Sequence, residues 1–112
     1  MGVRRFKDNI VAVPYALQVG GSGTNILQVR IYSQSLDVAS VAANTTAEQT
    51  FTVTGLTTAD KVFVNKPSVS AGLGVCNARV SATNTLALTF NNNTGGAIDP
   101  AAETYQIIAI RS

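Results

Sequence analysis

The side chains that could do chemistry are few, and they lack the spacing that catalysis or metal binding needs. The chain has no histidine and a single cysteine, Cys76. A Cys–His or Ser–His pair therefore cannot form within one chain, and a zinc site lacks its usual ligands. The small, apolar neighbours of Cys76 in residues 72–78 predict a buried structural thiol. A lone cysteine also excludes an intrachain disulfide, which is compatible with folding in a reducing cytoplasm.

The carboxylates are scattered along the chain. Asp99 and Glu103 flank Pro100 in a loop-like stretch, and no pair of carboxylates has a spacing that predicts acid–base hydrolysis of a glycoside. Calcium binding by Asp99, Asn93 and backbone carbonyls has no supporting spacing, and the glycine-rich stretches do not match phosphate-binding loops. We therefore predict a protein that is not an enzyme, with no catalytic residue, no metal and no cofactor.

Tyrosine and asparagine side chains suggest two further uses. Tyr15, Tyr32 and Tyr105 could stack on sugar rings, but the chain has no Trp and the tyrosines are far apart in sequence, so packing in a core or rim is favoured. Asn92-Asn93-Thr94 matches a glycosylation acceptor without a secretion signal. A turn in which Asn side chains bond the loop backbone is the favoured interpretation.

Charged residues make up only 12% of the chain, about half the usual share. A surface of Thr, Ser, Asn and Gln fits either coverage by neighbouring chains or an extracellular type of β-domain. The net charge of +2 arises in the N-terminal part, at Arg4, Arg5 and Lys7. These cations are too few to predict nucleic-acid binding. No apolar run reaches the ~18 residues of a membrane helix, and no signal peptide is recognisable, so no membrane partner is expected.

The first 23 residues predict an extended N-terminal arm ending in a glycine-rich hinge at 20–23, followed by one domain over 24–112. Residues 10–19 are apolar and contain Pro14, which excludes a central strand position. This segment could lie along a neighbouring subunit or host surface, remain unattached, or form an ordinary first strand.

Short runs with period-two alternation, separated by Gly, Pro, Asn and Asp, follow the hinge. They predict strands at 25–32, 48–54, 61–66, 77–82, 85–91 and 104–111, a short strand or turn at 36–41, a loop at 68–76, and a hairpin about Thr83-Asn84. In the strand at 25–32, Leu27, Val29 and Ile31 share one side. In the strand at 48–54, Phe51 and Val53 are expected to point inward. The fold class is all-β, an antiparallel β-sandwich or open barrel of about six or seven strands.

The last strand is apolar on both faces, as a central or interface strand would be. We expect its residues Tyr105, Ile107, Ile108 and Ile110 to contribute to an oligomer interface. Small cores rich in Ala and poor in aromatic side chains often gain stability by association, which also favours an oligomer.

The order and spacing of strand and turn residues from Leu36 onward are distinctive. Residues 36–56 are followed by Asp60, Asn65-Lys66-Pro67, Gly72-Leu73-Gly74, Asn77-Ala78-Arg79-Val80, the stretch 90–95 and Tyr105. This part of the chain, without the N-terminal arm, resembles small β-rich virion proteins of tailed bacteriophages, and most of all their capsid decoration, or cement, proteins.

The resemblance implies a non-catalytic structural protein of the capsid surface, synthesised in the host cytoplasm. Such proteins are commonly homotrimers at local three-fold axes that brace the major capsid protein. The hinged arm would suit a clamp that reaches across capsomers, with capsid contacts expected at Arg4, Arg5, Phe6, Lys7, Ile10, Val11, Val13 and Tyr15. A phage tail, adaptor or fibre component is the alternative within the class. A glycan- or receptor-binding β-module is the alternative outside it.

Overall fold

A computed structural model describes Arg4–Arg5, Val11–Ala12 and residues 21–112 of the chain. Strands make up most of these residues. They are β1 (Arg4–Arg5), β2 (Val11–Ala12), β3 (Gln28–Leu36), β4 (Thr45–Thr52), β5 (Asp60–Asn65), β6 (Leu73–Ala82), β7 (Thr85–Asn92) and β8 (Glu103–Arg111). The short strands β1 and β2 pair with each other antiparallel. Of the expected arm contacts, Phe6, Lys7, Ile10, Val13 and Tyr15 lie outside the described residues.

Two antiparallel three-stranded sheets pack together as a β-sandwich, which confirms the predicted fold class. One sheet has the order β3-β8-β5 and the other the order β4-β7-β6. The C-terminal strand was predicted to be a central or an interface strand, and it is central, because β8 pairs with β3 on one side and β5 on the other.

The core lies between the two central strands. Leu86, Leu88 and Phe90 of β7 and Tyr105 and Ile107 of β8 are completely buried. The last residue of β3, Leu36, and residues from the connections close the ends of this core: Val38, Val41, Val53 and Leu56. Alternation along the 48–54 segment is as predicted, since Phe51 packs against the core and Val53 is buried while the intervening threonines are exposed.

The β6–β7 hairpin turns at Thr83-Asn84, as predicted, with Asn84 in the left-handed region at φ 60°. Asn is one of the few residues that adopts this conformation readily. The Gly55 amide donates to Asn84 Oδ1 at 2.9 Å, and the Asn84 amide donates to the Leu56 carbonyl at 2.8 Å. The hairpin turn is therefore fastened to the connection between β4 and β5.

Two predictions about β6 are wrong. The strand begins at Leu73 rather than at Asn77, so the predicted loop at 68–76 ends at Gly72, whose φ of 82° makes the turn. Cys76 is exposed rather than buried. The reason is a register shift between Val75 and Asn77, which leaves Cys76 unpaired with β7.

The short strand or turn expected at 36–41 is not a separate strand. Leu36 is the last residue of β3, and Val41 forms an isolated antiparallel bridge with Ile98.

Candidate functional site

A patch of large apolar side chains covers the outward side of the β3-β8-β5 sheet. We call this patch the outer apolar face and define it by Leu27, Val29, Ile31, Phe63, Ile108 and Ile110. Ile31 and Phe63 are 68% and 62% exposed, and even Ile108 on the central strand is 39% exposed. Such contiguous exposure is unusual, because antiparallel sandwiches normally turn polar residues outward.

The register of the strands makes this patch continuous. Ile108 stands opposite Ile31 on one side and Phe63 on the other, and Ile110 stands opposite Val29. Directly opposed side chains of neighbouring strands have Cβ atoms about 5 Å apart. The Leu27 amide donates to the Arg111 carbonyl at 2.7 Å, which extends the ladder and brings Leu27 beside the others.

The apolar stripe of β3 points away from the core. Val29 and Ile31 are exposed, whereas Tyr32 on the opposite side packs against the core and Leu36 is buried in it. A slip of one residue would turn Val29 and Ile31 inward, but β3 and β8 pair without interruption from Gln28↔Arg111 to Leu36↔Glu103. The outward direction of the stripe is therefore part of the fold.

A polar but uncharged row borders the outer apolar face. Ser33, Gln106 and Asn65 are aligned across the three strands, and the Ser33 hydroxyl donates to Gln106 Oε1 at 2.8 Å. Lys61 is the one charged residue that the described strands place on this side. Its ammonium donates to the Ala59 carbonyl at 3.0 Å and to Ser112 Oγ at 3.3 Å, at the margin of the sheet.

The outward side of the other sheet has the ordinary polar character. Thr46, Glu48, Thr50 and Thr52 of β4 are all exposed. Arg79 of β6 donates from Nε and Nη2 to both oxygens of Glu48 at 2.8 Å, across β7. This bidentate bond lowers the pKa of Glu48. The two outer sides of the sandwich therefore differ sharply in polarity, and burial of the outer apolar face would remove more apolar surface from water.

Only part of the predicted oligomer interface lies on this surface. Ile108 and Ile110 belong to the outer apolar face, but Tyr105 and Ile107 are completely buried in the core and cannot contact another subunit. The reason is the alternation along β8, whose odd-numbered residues face the opposite sheet. Sequence reasoning missed Leu27, Val29, Ile31 and Phe63. It placed Leu27, Val29 and Ile31 on one side of a strand, but periodicity does not say which side faces the core.

The predicted arm contacts are mostly outside the described residues. Arg4, Arg5 and Val11 belong to the β1–β2 pair, with Arg4 opposite Ala12 and Arg5 opposite Val11. This pairing of backbones does not test a contact with another protein.

An open cleft of about 350 Å³ lies between β5 and β6, which are edge strands of the two sheets. Its walls are formed mainly by apolar residues: Val62, Phe63, Val64, Val75, Cys76, Asn77 and Ala78. The Cys76 thiol is the one nucleophile in this lining, and its nearest polar partner is the Thr89 carbonyl at 3.5 Å. No general base lines the cleft to activate the thiol.

The buried carboxylate of Asp60 has a structural role. Its two oxygens accept from Arg111 Nε at 2.8 Å and Nη2 at 2.9 Å, and Oδ2 also accepts from the Thr57 amide at 2.8 Å. The hydrogen bond from Arg111 is the main reason why the pKa of Asp60 lies below its usual value. The carboxylate therefore joins β5 to β8 and to the connection that precedes β5.

A second ion pair closes the other end of the same strands. Lys66 Nζ donates to Glu103 Oε2 at 2.9 Å, and the Ser68 hydroxyl donates to the same oxygen at 2.9 Å. These bonds, led by the one from Ser68, lower the pKa of Glu103. Among the described residues, no group of three or more Cys, Asp or Glu side chains could hold a metal ion.

The two tyrosines that the structure describes, Tyr32 and Tyr105, do not form a surface for stacking on sugars. Tyr105 is in the core, where burial, followed by the nearby charge of Glu103, raises its pKa to about 12. The hydroxyl of Tyr32 is also buried and lies against Gly55.

Comparison with protein-family models, curated proteins and solved structures finds no match to this chain. The residues that the structure describes contain no helix long and apolar enough to cross a membrane.

Proposed function

We propose that this protein is a non-catalytic structural protein of a tailed-phage virion, one that decorates the capsid and braces subunits of the major capsid protein. The observation that carries the proposal is the outer apolar face with its uncharged border. A surface of this kind gains free energy by excluding water when another protein covers it, and no bond needs to be made or broken.

The state of the carboxylates supports an assembly role. Each of three carboxylates accepts hydrogen bonds from a cation elsewhere in its own sheet: Asp60 from Arg111 of the adjacent strand, Glu103 from Lys66 at the end of the adjacent strand, and Glu48 from Arg79 across β7. Such pairs stiffen the sandwich, which suits a protein that must transmit load between subunits. The phage-specific part of the proposal rests on the resemblance of the sequence from Leu36 onward.

The proposed assembly divides two tasks between two parts of the chain. The β-sandwich domain forms a homo-oligomer on the capsid surface, and the basic N-terminal arm binds the major capsid protein. Neither nucleic acid nor membrane is a partner in this proposal. The cations Arg4, Arg5 and Lys7 would meet acidic capsid surface, while the apolar residues 10–19 would lie along a capsomer.

The test uses capsids of the encoding phage prepared without this protein. Full-length chain should co-sediment with these capsids and raise the temperature at which they release DNA. A chain lacking residues 1–19 should bind more weakly, and an Arg4→Ser, Arg5→Ser, Lys7→Ser variant should lose the salt-sensitive part of binding. Failure of the full-length chain to bind would refute decoration. Equal binding by the truncated chain would refute only the role of the arm.

A component of the tail is the second candidate, because the same surface would serve in a tail ring or adaptor. Locating the chain in images of the intact particle distinguishes the two. A glycan-binding module is less favoured, since the core position of Tyr105 removes it from any binding surface.

A further inference from the structure

We propose that the outer apolar face is the surface through which copies of this chain bind one another, so that its occupant is a second copy of the same face. This inference deepens the proposed function, which requires an oligomer, and rests on it only in that respect. The capsid protein would then be bound elsewhere on the chain.

The first argument is the orientation of β3. Turning Val29 and Ile31 outward leaves two large apolar side chains 58% and 68% exposed on an edge strand. Exposed apolar edges promote association, and proteins that stay monomeric protect them with charges or proline. The outward side of β3 continues with Ser33 and Ser35 and has neither protection. Because Val29 and Ile31 do not contribute to the core, we expect another chain to bury them.

The second argument is the absence of repulsion when the face meets itself. Identical surfaces bring like charges together, which opposes association unless the surface is nearly uncharged. Here the single cation, Lys61, turns its ammonium to the margin. The bordering side chains Ser33, Asn65 and Gln106 each carry both a donor and an acceptor, so each can pair with its own copy.

The third argument is area. With roughly 150–250 Å² for a large side chain, the exposed parts of the outer apolar face sum to about 500 Å². A stable interface buries about 800 Å² on each partner, and homodimer interfaces are about 65% apolar. Adding the exposed parts of the polar border brings the surface close to both the area and the apolar fraction of such interfaces. The face is therefore of the size and composition that self-association needs.

Analytical ultracentrifugation of the full chain tests the inference. An interface in which one face binds its own copy has two-fold symmetry, so the expected mass is twice that of the 11.6 kDa chain. A mass of three chains would overturn the pairing of face with face. Ile31→Asp should weaken association about 30-fold or more, the size of a loss at an interface hot spot. Val69→Asp is the matched control, since Val69 is 94% exposed but lies outside the outer apolar face, and it should leave the mass unchanged.

A milder pair of variants guards against misfolding. Ile31→Ser and Phe63→Ser should keep the circular dichroism spectrum of the wild type and still reduce its mass. A monomeric wild type would overturn the inference, and so would an oligomer that survives these variants. Since the readout needs no capsid, an oligomer that fails to bind capsids would refute the proposed function alone.

Thiol labelling gives an independent measurement. In a Cys76→Ser background, which removes the single native cysteine, Ile31→Cys and Thr50→Cys each place one thiol on the outward side of a sheet. The thiol at position 31 should react with maleimide several-fold more slowly at concentrations where the oligomer forms. The thiol at position 50 should react at one rate throughout. Equal rates in the oligomer would show that the face is uncovered and would overturn the inference.

Discussion

Replacing Asn92 with Asp would test how this fold satisfies buried polar groups. Asn92 is completely buried at the end of β7. Its Nδ2 donates to the Val41 carbonyl at 3.0 Å and to the Gly96 carbonyl at 2.9 Å. Its Oδ1 accepts from the Thr94 amide at 2.9 Å and the Thr94 hydroxyl at 2.8 Å. Asn92→Asp keeps the shape but puts a second oxygen where the two carbonyls require a donor.

The magnitude follows from these contacts. The Val41 carbonyl keeps the Ile98 amide as a donor at 2.9 Å, and the Gly96 carbonyl keeps the Thr94 hydroxyl at 2.9 Å. The cost therefore lies mainly in the new carboxylate oxygen, which faces these two carbonyls without a donor of its own. A buried polar group left without a partner costs about 1–3 kcal/mol, and more when it is charged, so we expect the free energy of unfolding at pH 7 to fall by about 3 kcal/mol. Typical domains have only 5–15 kcal/mol in total.

Acidification should reverse part of this loss. Burial beside two carbonyl oxygens raises the pKa of the new carboxyl in the folded state, so the folded variant binds more protons than the unfolded chain above pH ~4. Its unfolding free energy therefore falls as pH rises, and the deficit relative to wild type should shrink as pH is lowered from 7 to 4.5. The protonated carboxyl can again donate to one of the carbonyls.

The assay is urea denaturation of both proteins at pH 7 and pH 4.5. Asn91→Asp is the matched control, because Asn91 is the preceding residue of β7 but is exposed, and it should change the unfolding free energy by less than about 0.5 kcal/mol. Equal losses in the two variants, or a deficit for Asn92→Asp that does not depend on pH, would refute the reasoning.

Three further predictions concern single residues. The pKa of Asp60 is lower in the folded protein than its unfolded value of ~3.9. The ionised carboxylate therefore stabilises the fold above that value, and this contribution is lost as pH falls through the folded pKa. In urea titrations at several pH values, the wild type should lose stability in acid more steeply than Asp60→Asn. Gly72→Ala should lower the melting temperature, because φ is 82° and a Cβ atom would meet Thr94 Cγ2, whereas Gly74→Ala, with open space around it, should change it much less. Cys76 should react with Ellman's reagent in the folded protein at nearly the rate of a free thiol; protection would contradict its exposure at the bulge.

The sequence predicted the strands better than their orientation. Alternation located β3, β5 and β8, and the two apolar sides of β8 indicated its central place. Alternation alone cannot say which side of β3 faces the core. That choice depends on packing of Tyr32 and Leu36 against residues distant in the chain. The sequence therefore predicted that the apolar residues of β3 share one side of a strand, but not that this side is exposed to solvent.

Local patterns predicted turns with mixed success. The Asn-rich tract was predicted to bond its own loop backbone, and Asn92 does so with Thr94. The predicted loop at 68–76 contains Gly72 and Gly74, but of these two only Gly72 adopts a positive φ. A bulge inside β6 has no local signal, and this is why burial of Cys76 was wrongly expected.

The central strand of the β3-β8-β5 sheet is the last of its three strands to be synthesised. Until Glu103–Arg111 has been made, β3 and β5 have no partner among the described strands, since both pair with β8 and not with each other. Long-range pairing of this kind delays formation of the sheet until β8 has been added. A nascent chain therefore has no finished outer apolar face before that point, and copies cannot associate through it.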